Sequence, residues 1–186
     1  MRVEGKRLVV TGATRGIGAA LARQLVGAGA TVLAVARDAD RLQAMAAELG
    51  PCLIPMPCDL AEEAARVALI ADLGAVDGLI NNAALQIESD YAQAGHDPAG
   101  DIRREAAVNF TAPLHLSAAL LPVLAARPEA LIVNVTSALA LAPKTAAPVY
   151  CATKAGLRNF TTGLRYQAER SCPQVRVVEV VMTLVE

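Results

Sequence analysis

The stretch RLVVTGATRGIG, residues 7–18, decides how the first part of this chain folds. Its first five residues are mostly apolar and predict a buried strand, and the turn after them opens a helix predicted from Gly16. Gly12, Gly16 and Gly18 have the spacing GxxxGxG. Without a Cβ the backbone can approach a pyrophosphate, and a helix N-terminus attracts phosphates. The stretch therefore predicts a dinucleotide-binding unit, although a plain tight turn can have the same spacing.

Apolar runs and helical patterns alternate along the rest of the chain. This alternation predicts an α/β fold, a doubly wound parallel sheet (Rossmann fold) with right-handed crossovers. Because no linker or internal repeat interrupts it, residues 1–186 are predicted to form a single domain. The predicted strands cover 7–11, 31–36, 52–57, 77–81, 130–136 and 175–181, and the predicted helices cover 16–28, 41–49, 61–73, 101–126 and 148–169, with a loop over 86–100.

Composition excludes several classes of function. With 17 basic and 18 acidic residues, the chain offers no charge excess for nucleic acid or an anionic membrane. No uninterrupted apolar run reaches the roughly 18 residues of a membrane span, and the charges at Arg2, Glu4 and Lys6 do not resemble a secretory signal. The four cysteines and the histidines His96 and His115 lack the spacing of metal ligands. We expect a cytoplasmic protein without a metal site.

The end of the second predicted strand bears on which dinucleotide is bound. NAD-binding sites tend to place an acidic residue there, about 20 residues beyond the glycine turn. Here Ala36 is followed by Arg37, and Arg15 lies inside the turn. Two guanidinium groups near one ribose suit a 2′-phosphate and favour NADP over NAD. Two questions stay open: Asp38 can instead take the ribose hydroxyl, and Asp59 can either contact the adenine amino group or only cap the next helix.

Three polar residues in the second half of the chain can perform proton chemistry. Tyr150 and Lys154 are four residues apart in a predicted helix, so they share one face. An ammonium group favours the phenolate, so we expect Lys154 to lower the pKa of Tyr150 and make it a general acid or base. Ser137 ends the fifth predicted strand, at the crevice where such sheets bind ligands. Each residue alone also has a bland explanation, such as a turn for Ser137.

Short motifs in a fixed order make the sequence similar to the short-chain dehydrogenase/reductase family, in its short single-domain branch. They are TGATRGIG at 11–18, CDL at 58–60, NNAA at 81–84, Asn109, VTS at 135–137 and YCATK at 150–154. Ala84 departs from the family's NNAG.

The resemblance implies a role for each matching residue. Lys154 is expected to donate to the nicotinamide ribose, and Asn109 to hold a water that relays protons from the lysine. It also implies a homo-oligomer, a dimer or tetramer, in which the helices over 101–126 and 148–169 pair with their counterparts. The predicted catalytic residues are Ser137, Tyr150, Lys154 and Asn109, and the predicted cofactor-binding residues are Gly12, Thr14, Arg15, Gly16, Ile17, Gly18, Arg37, Asp59, Leu60, Asn82, Ala83, Tyr150 and Lys154.

Members of the family usually continue after the sixth strand with a substrate-covering loop, helices and a seventh strand. This sequence reads VVMTLVE over 180–186, without the usual PG, and stops there. We therefore expect the sixth strand to form an exposed edge and the pocket to lack a lid. The first hypothesis is an NADP-dependent oxidoreductase that acts on a small carbonyl or secondary alcohol. The alternative is a shortened dinucleotide-binding or interaction protein with little or no turnover.

Overall fold

The computed structural model describes residues 1–93 and 98–183. Within them one parallel sheet contains β1 (Arg7–Thr11), β2 (Thr31–Ala36), β3 (Leu53–Pro57), β4 (Gly78–Asn81), β5 (Ala130–Ser137) and β6 (Val175–Met182). The strand order is β3-β2-β1-β4-β5-β6, and every pair is parallel. The order reverses between β1 and β4, so a crevice opens at their carboxyl ends. The doubly wound fold predicted from the sequence is confirmed.

Most helices begin and end close to their predicted bounds. The exception is the long helix predicted over 101–126, which starts earlier and is interrupted by a π-helical segment, Ala107–Thr111. The helices are α1 (Gly16–Gly27), α2 (Ala39–Leu49), α3 (Glu63–Leu73), α4 (Ala99–Ala106), α5 (Ala112–Ala125) and α6 (Pro148–Ser171).

Asp59 is not the N-terminal cap of the third helix. Helix α3 begins at Glu63, and Asp59 lies in the turn before it. There the Asp59 carboxylate accepts a hydrogen bond of 3.0 Å from the backbone N–H of Ala61. The simple capping alternative is therefore wrong, because the chain makes a separate turn before the helix starts.

Apolar residues are buried on both faces of the sheet. In β1, Val9 packs on the face covered by α5, where Leu116 and Leu120 are buried. Its neighbours Leu8 and Val10 pack on the other face with residues of α1 and α2. A parallel sheet covered on both sides needs apolar side chains at consecutive positions, which explains the nearly unbroken apolar strands and the 54% hydrophobic content.

The helical run Ala99–Ala125 is long and apolar enough, by length and composition, to cross a membrane. In the structure its α5 part packs against β4, β5 and α3. Leu116, Leu120 and Leu124 of this run are buried in the core. The apolar side chains of α5 are thus those of a helix packed against the sheet.

The strand β6 forms one edge of the sheet as far as the described residues show. It pairs with β5 alone among them, and Val178, Val180 and Val181 are 37%, 38% and 42% exposed. This agrees with the exposed sixth strand expected from the sequence.

A buried carboxylate joins several segments at the amino ends of the central strands, away from the crevice. Asp77 is 2% exposed and accepts hydrogen bonds from the backbone N–H of Arg7, at 2.9 Å, and from Nε of Arg127, at 2.8 Å. Lys6 adds a second positive group, with its Nζ 4.0 Å from the Asp77 carboxylate. Burial acts to raise the pKa of Asp77, but these donors and charges outweigh it and hold the pKa below its usual value. The ionised carboxylate is therefore the form that the fold stabilises.

We expect Asp77→Asn to lower the free energy of unfolding at neutral pH by about 1–3 kcal/mol, because it removes the charge from a buried bonded site. Since the folded pKa of Asp77 is depressed, this contribution is fully present above the pKa of the unfolded carboxyl group and is lost as the pH falls from there through the folded pKa. Urea unfolding at several pH values measures both effects. The exposed Asp72→Asn serves as the control, and equal unfolding free energies for the two variants would contradict the assignment.

Candidate active site

The ends of β1 and β4 are tied together at the crevice. The Thr11 hydroxyl oxygen accepts hydrogen bonds from the backbone N–H groups of Asn82 and Ala83, both at 3.0 Å. The Asn82 side chain donates to the backbone carbonyl of Thr11 at 2.9 Å. Asn82 and Ala83, predicted as cofactor residues, thus hold the glycine turn in place and line the cavity beside it.

Gly12 and Gly18 are needed because the backbone comes so close here. A Cβ on Gly18 would lie 2.1 Å from the carbonyl oxygen of Gly12 and 2.5 Å from the amide nitrogen of Asn82. A Cβ on Gly12 would lie 2.9 Å from Cα of Ala83, and the φ of Gly12 is +68°. Gly16 has open space around it but also a positive φ, of +53°. The spacing GxxxGxG therefore meets two different demands, backbone conformation and close contact.

The cavity beside the turn has a volume of about 490 Å³. Helix α1 points its N-terminus toward it, and in the described residues the N-cap Arg15 makes no side-chain capping bond. The first N–H groups of the helix therefore remain for an anionic ligand, and glycine leaves room for its approach. The predicted cofactor residues that line this cavity are Gly12, Thr14, Arg15, Ile17, Gly18, Arg37, Asp59, Leu60, Asn82 and Ala83.

One end of the cavity is rich in arginine. Arg15, Arg37 and Arg41 all line it, together with Asp38. One carboxylate oxygen of Asp38 accepts from the backbone N–H of Arg41 at 3.0 Å, and the other lies 3.2 Å from its Nε. Asp38 therefore caps α2 and is already paired, which weighs against the alternative that it takes a ribose hydroxyl. Arg41 was not among the cofactor-binding residues predicted from the sequence. Its place three residues after the N-cap Asp38, where a cap holds the backbone N–H, is the local pattern that could have indicated it.

Asp59 faces the same cavity as an ionised acceptor. Burial acts to raise its pKa, but the N–H of Ala61 and the Arg104 guanidinium outweigh burial and lower the pKa. The Arg104 nitrogen lies 2.8 Å from the Asp59 carboxylate. No sequence pattern indicated this pair, because its members are 45 positions apart.

Ser137 and Tyr150 come together where β5 ends. Ser137 is the last residue of the strand, and its Oγ accepts from the backbone N–H of Leu139 at 3.1 Å. The Ser137 side chain also lies near enough to the phenol of Tyr150 to act on its pKa, in the direction that lowers the pKa of Tyr150. Strand β5 and helix α6 thus bring the two side chains together, and their shared role in a site stays a prediction.

Lys154 lies close to Tyr150 but does not control its pKa as expected. Its Nζ is 5.7 Å from the centroid of the Tyr150 ring and donates to the backbone carbonyl of Val135 at 2.7 Å. Burial lowers the pKa of Lys154 to about 8. Burial is also the main reason that the pKa of Tyr150 is raised, with Cys151 and Glu105 acting in the same direction and Ser137 against them. The expectation of a lowered tyrosine pKa is wrong here, because removal of the phenol from water disfavours the phenolate.

Asn109 lies in the π-helical segment and is fully buried. Its side chain accepts from the N–H of Leu85 at 2.8 Å and donates to the Leu85 carbonyl and to the Thr153 hydroxyl, at 3.3 Å for the latter. Pro113 has no N–H for the Asn109 carbonyl four residues before it, so this carbonyl lacks the usual helical donor. Asn109 thereby anchors the segment after β4, and its expected role in holding a water stays a prediction.

Comparison with known proteins identifies the family. A family model described as short chain dehydrogenase matches residues 6–186. The uncharacterized oxidoreductase DltE of Bacillus subtilis (strain 168) is 36% identical over 190 residues, covering 100% of this chain and 74% of that protein. The closed form of serine dehydrogenase complexed with NADP+ gives a TM-score of 0.88 at 30% identity, over 97% of this chain and 73% of the other. The short-chain dehydrogenase from Sphingobium yanoikuyae in complex with NADPH gives 0.87 at 30% identity, over 97% and 72%.

The chain belongs to the short-chain dehydrogenase family and is an oxidoreductase of that type. The resemblance drawn from the sequence motifs is therefore confirmed. The prediction of NADP is supported by the two structural neighbours that hold NADP+ or NADPH. The chain spans only 54–64% of the length of several other curated relatives that it matches.

We expect Gly18→Ala to destabilise the protein by about 1–3 kcal/mol or more, because its Cβ would overlap backbone and amide atoms that hold the turn. Gly27→Ala, in the same helix with nothing within 4 Å of the added Cβ, is the matched control. That control should be neutral or slightly stabilising. Thermal unfolding measures both variants. Equal stability of the two would show that the close approach at Gly18 does not constrain the fold.

Proposed function

We propose that this protein transfers a hydride between NADPH and a small carbonyl or secondary alcohol, with Tyr150 as the general acid or base. The observation that carries this proposal is the grouping of Ser137, Tyr150 and Lys154 at the carboxyl end of the sheet. Ser137 acts on the pKa of the Tyr150 phenol, and Lys154 Nζ lies 5.7 Å from the centroid of the Tyr150 ring. None of the three is among the described residues that line the glycine-turn cavity, but Ser137 ends β5 at the carboxyl end of the same sheet, where such folds bind their ligands.

The residues of the cavity fit an NADP(H) molecule. Gly12 and Gly18 let the turn pack directly against Asn82 and Ala83, and the open space around Gly16 is where a pyrophosphate would approach the backbone. The N-terminus of α1 would bind the phosphates. Arg15 and Arg37 would pair with the 2′-phosphate, with Arg41 beside them. The remaining predicted cofactor residues, Thr14, Gly16, Ile17, Asp59, Leu60, Asn82 and Ala83, are assigned to the same ligand on this basis.

In the proposed reaction, bound NADPH supplies the hydride that reduces the carbonyl carbon. Tyr150 donates its phenolic proton to the carbonyl oxygen as negative charge develops there, and Ser137 donates a hydrogen bond to the same oxygen. Lys154 would donate to the nicotinamide ribose when the cofactor is bound and would return a proton toward the phenol. Asn109 fixes the segment after β4 and is proposed to hold the relay water. The reverse sequence oxidises an alcohol.

The wider setting of the protein is part of the same proposal. We place it in the cytoplasm as a single domain over 1–186. We also propose that the protein forms a homo-oligomer in which α5 and α6 pair with their counterparts in a second copy. A strictly monomeric mass in light scattering would contradict this assembly. The proposed substrate is a small molecule that carries a carbonyl or an alcohol group.

We expect Tyr150→Phe to reduce NADPH-dependent turnover of a panel of aldehydes and ketones by about 10²–10⁴-fold, because the proton donor is lost. NADPH binding should persist, since the phenol contributes little to binding of the dinucleotide. Initial rates of NADPH oxidation and fluorescence titration measure the two quantities.

Tyr166→Phe is the matched control, because Tyr166 lies on the same helix and is 65% exposed. It should leave turnover unchanged. Full turnover by Tyr150→Phe would remove the assigned role. Saturable NADPH binding by the unsubstituted chain with no turnover of any carbonyl would instead favour the alternative of a dinucleotide-binding protein.

We expect Arg37→Ala to weaken NADPH binding about tenfold or more while NADH binding changes little, because only NADPH carries the 2′-phosphate. Arg23→Ala is the control, since Arg23 pairs with Glu48 on the surface. Parallel titrations with the two dinucleotides give the ratio of dissociation constants. An unchanged ratio in Arg37→Ala would show that this guanidinium does not select the cofactor.

A further inference from the structure

The strands β2 and β3 end side by side at the arginine-rich end of the cavity. They pair in parallel as far as Ala36 and Pro57, and the backbone N–H of Cys58 donates to the Ala36 carbonyl at 2.9 Å. Arg37 directly follows β2, and Asp59 follows β3 after one intervening residue. Both residues line the cavity. A ligand group bound at Arg37 therefore has Asp59 on its β3 side.

The chemistry of NADP(H) relates these two positions to different parts of the cofactor. Its adenine base is attached to the ribose carbon next to the one that bears the 2′-phosphate. A 2′-phosphate at Arg37 would therefore bring the base to the neighbouring wall of the cavity, where Asp59 and Leu60 lie. Leu60 would offer apolar contact to the base, and the Asp59 carboxylate would accept from its amino group.

The Asp59 carboxylate is held at both of its oxygens. Oδ1 accepts a hydrogen bond of 3.0 Å from the backbone N–H of Ala61, which belongs to the same turn. Oδ2 accepts a bond of 2.8 Å from the Arg104 guanidinium, which comes from α4, 45 positions along the chain. Bonds at both oxygens restrict rotation of the carboxylate. Since a carboxylate has about four lone-pair positions, it can still accept from a ligand.

Helix α4 is itself fixed, so Arg104 projects from a defined place. The next residue, Glu105, is 2% exposed and accepts a hydrogen bond of 3.3 Å from the backbone N–H of Ile87. Four residues farther on, the Asn109 side chain accepts from the N–H of Leu85 at 2.8 Å. Both bonds join this helical run to the segment after β4. A planar guanidinium carried by a fixed helix can hold Asp59 in one orientation.

We propose that Arg104 is a positioning residue that holds the Asp59 carboxylate in the orientation needed to accept a hydrogen bond from the amino group of adenine. The inference rests on the proposed assignment of Asp59 to the dinucleotide. Arg104 also offsets the negative charge of Asp59, which opposes an anionic ligand. Because the two side chains are 38% and 31% exposed, their ion pair adds little to folding stability. Its main effect is on the orientation of Asp59.

The test compares the binding of NADPH with that of its analogue in which hypoxanthine replaces adenine. The analogue has an oxygen in place of the amino group, so it cannot donate to Asp59 from that position, while its dihydronicotinamide still reports binding by fluorescence. We expect the unsubstituted protein to bind NADPH about tenfold more tightly than the analogue. Arg104→Met should reduce this ratio to about threefold or less, beyond any loss common to both ligands.

Three further variants separate positioning from support of the fold. Arg104→Ala should lower the ratio as Arg104→Met does, which covers a failure of that variant to fold. Arg104→Lys keeps the positive charge and should retain part of the preference for NADPH. Arg103→Met removes an exposed arginine from the same helix and should leave the ratio unchanged. A merely structural role of Arg104 would weaken the binding of both dinucleotides equally, and this result would overturn the proposal.

A double variant shows whether Arg104 acts through Asp59. Asp59→Ala should itself lower the preference for NADPH, and adding Arg104→Met to it should change the ratio no further. A further fall in the ratio in the double variant, or equal binding of the two dinucleotides by the unsubstituted chain, would overturn the proposal. Failure of the unsubstituted chain to bind either dinucleotide would contradict the proposed function as well. Normal NADPH binding with an unchanged ratio in the Arg104 variants would overturn the role of Arg104 alone.

Discussion

The close contact between the turn after β1 and the end of β4 determines how the chain is arranged at the carboxyl ends of the central strands. Gly18 allows helix α1 to begin within contact distance of Gly12 and Asn82, where any side chain would overlap. The side chains of Thr11 and Asn82 then join the two strand ends through hydrogen bonds to each other's backbone. Because this approach is so close, the N-terminus of α1 opens directly onto the cavity. The cavity and the phosphate-binding end of the helix are consequences of the same packing.

The sheet could be predicted from the sequence because its strands are buried on both faces. Runs such as that in Thr31–Ala36 are continuous in apolar residues, and each strand lies within about two residues of its predicted range. Helix starts were less accurate, since they depend on which polar group caps the first turn. Asp38 begins α2 two residues earlier than predicted, and Asp59 supports a separate turn instead of a helix. Such choices are decided by side-chain geometry that apolar periodicity does not encode.

Only part of the candidate site could be predicted from the sequence, because some of its contacts join residues far apart in the chain. The glycine spacing and the pair Tyr150 and Lys154 involve residues close in sequence, and such patterns can be recognised without a structure. The pairing of Arg104 with Asp59 joins positions 45 apart, and nothing local marks it. The pKa of Tyr150 depends on how much water the fold removes and on a carboxylate from another helix. Its direction therefore follows from the folded arrangement, and the sequence pattern alone suggested the opposite.

Helix α4 carries two neighbouring residues that reach in different directions. Arg104 extends to the carboxylate of Asp59 at the rim of the dinucleotide cavity, and Glu105 turns inward to Ile87 beside the candidate catalytic residues. Each contact restricts where α4 can lie. One short helix therefore sets the position of both the rim of the dinucleotide cavity and the segment that follows β4.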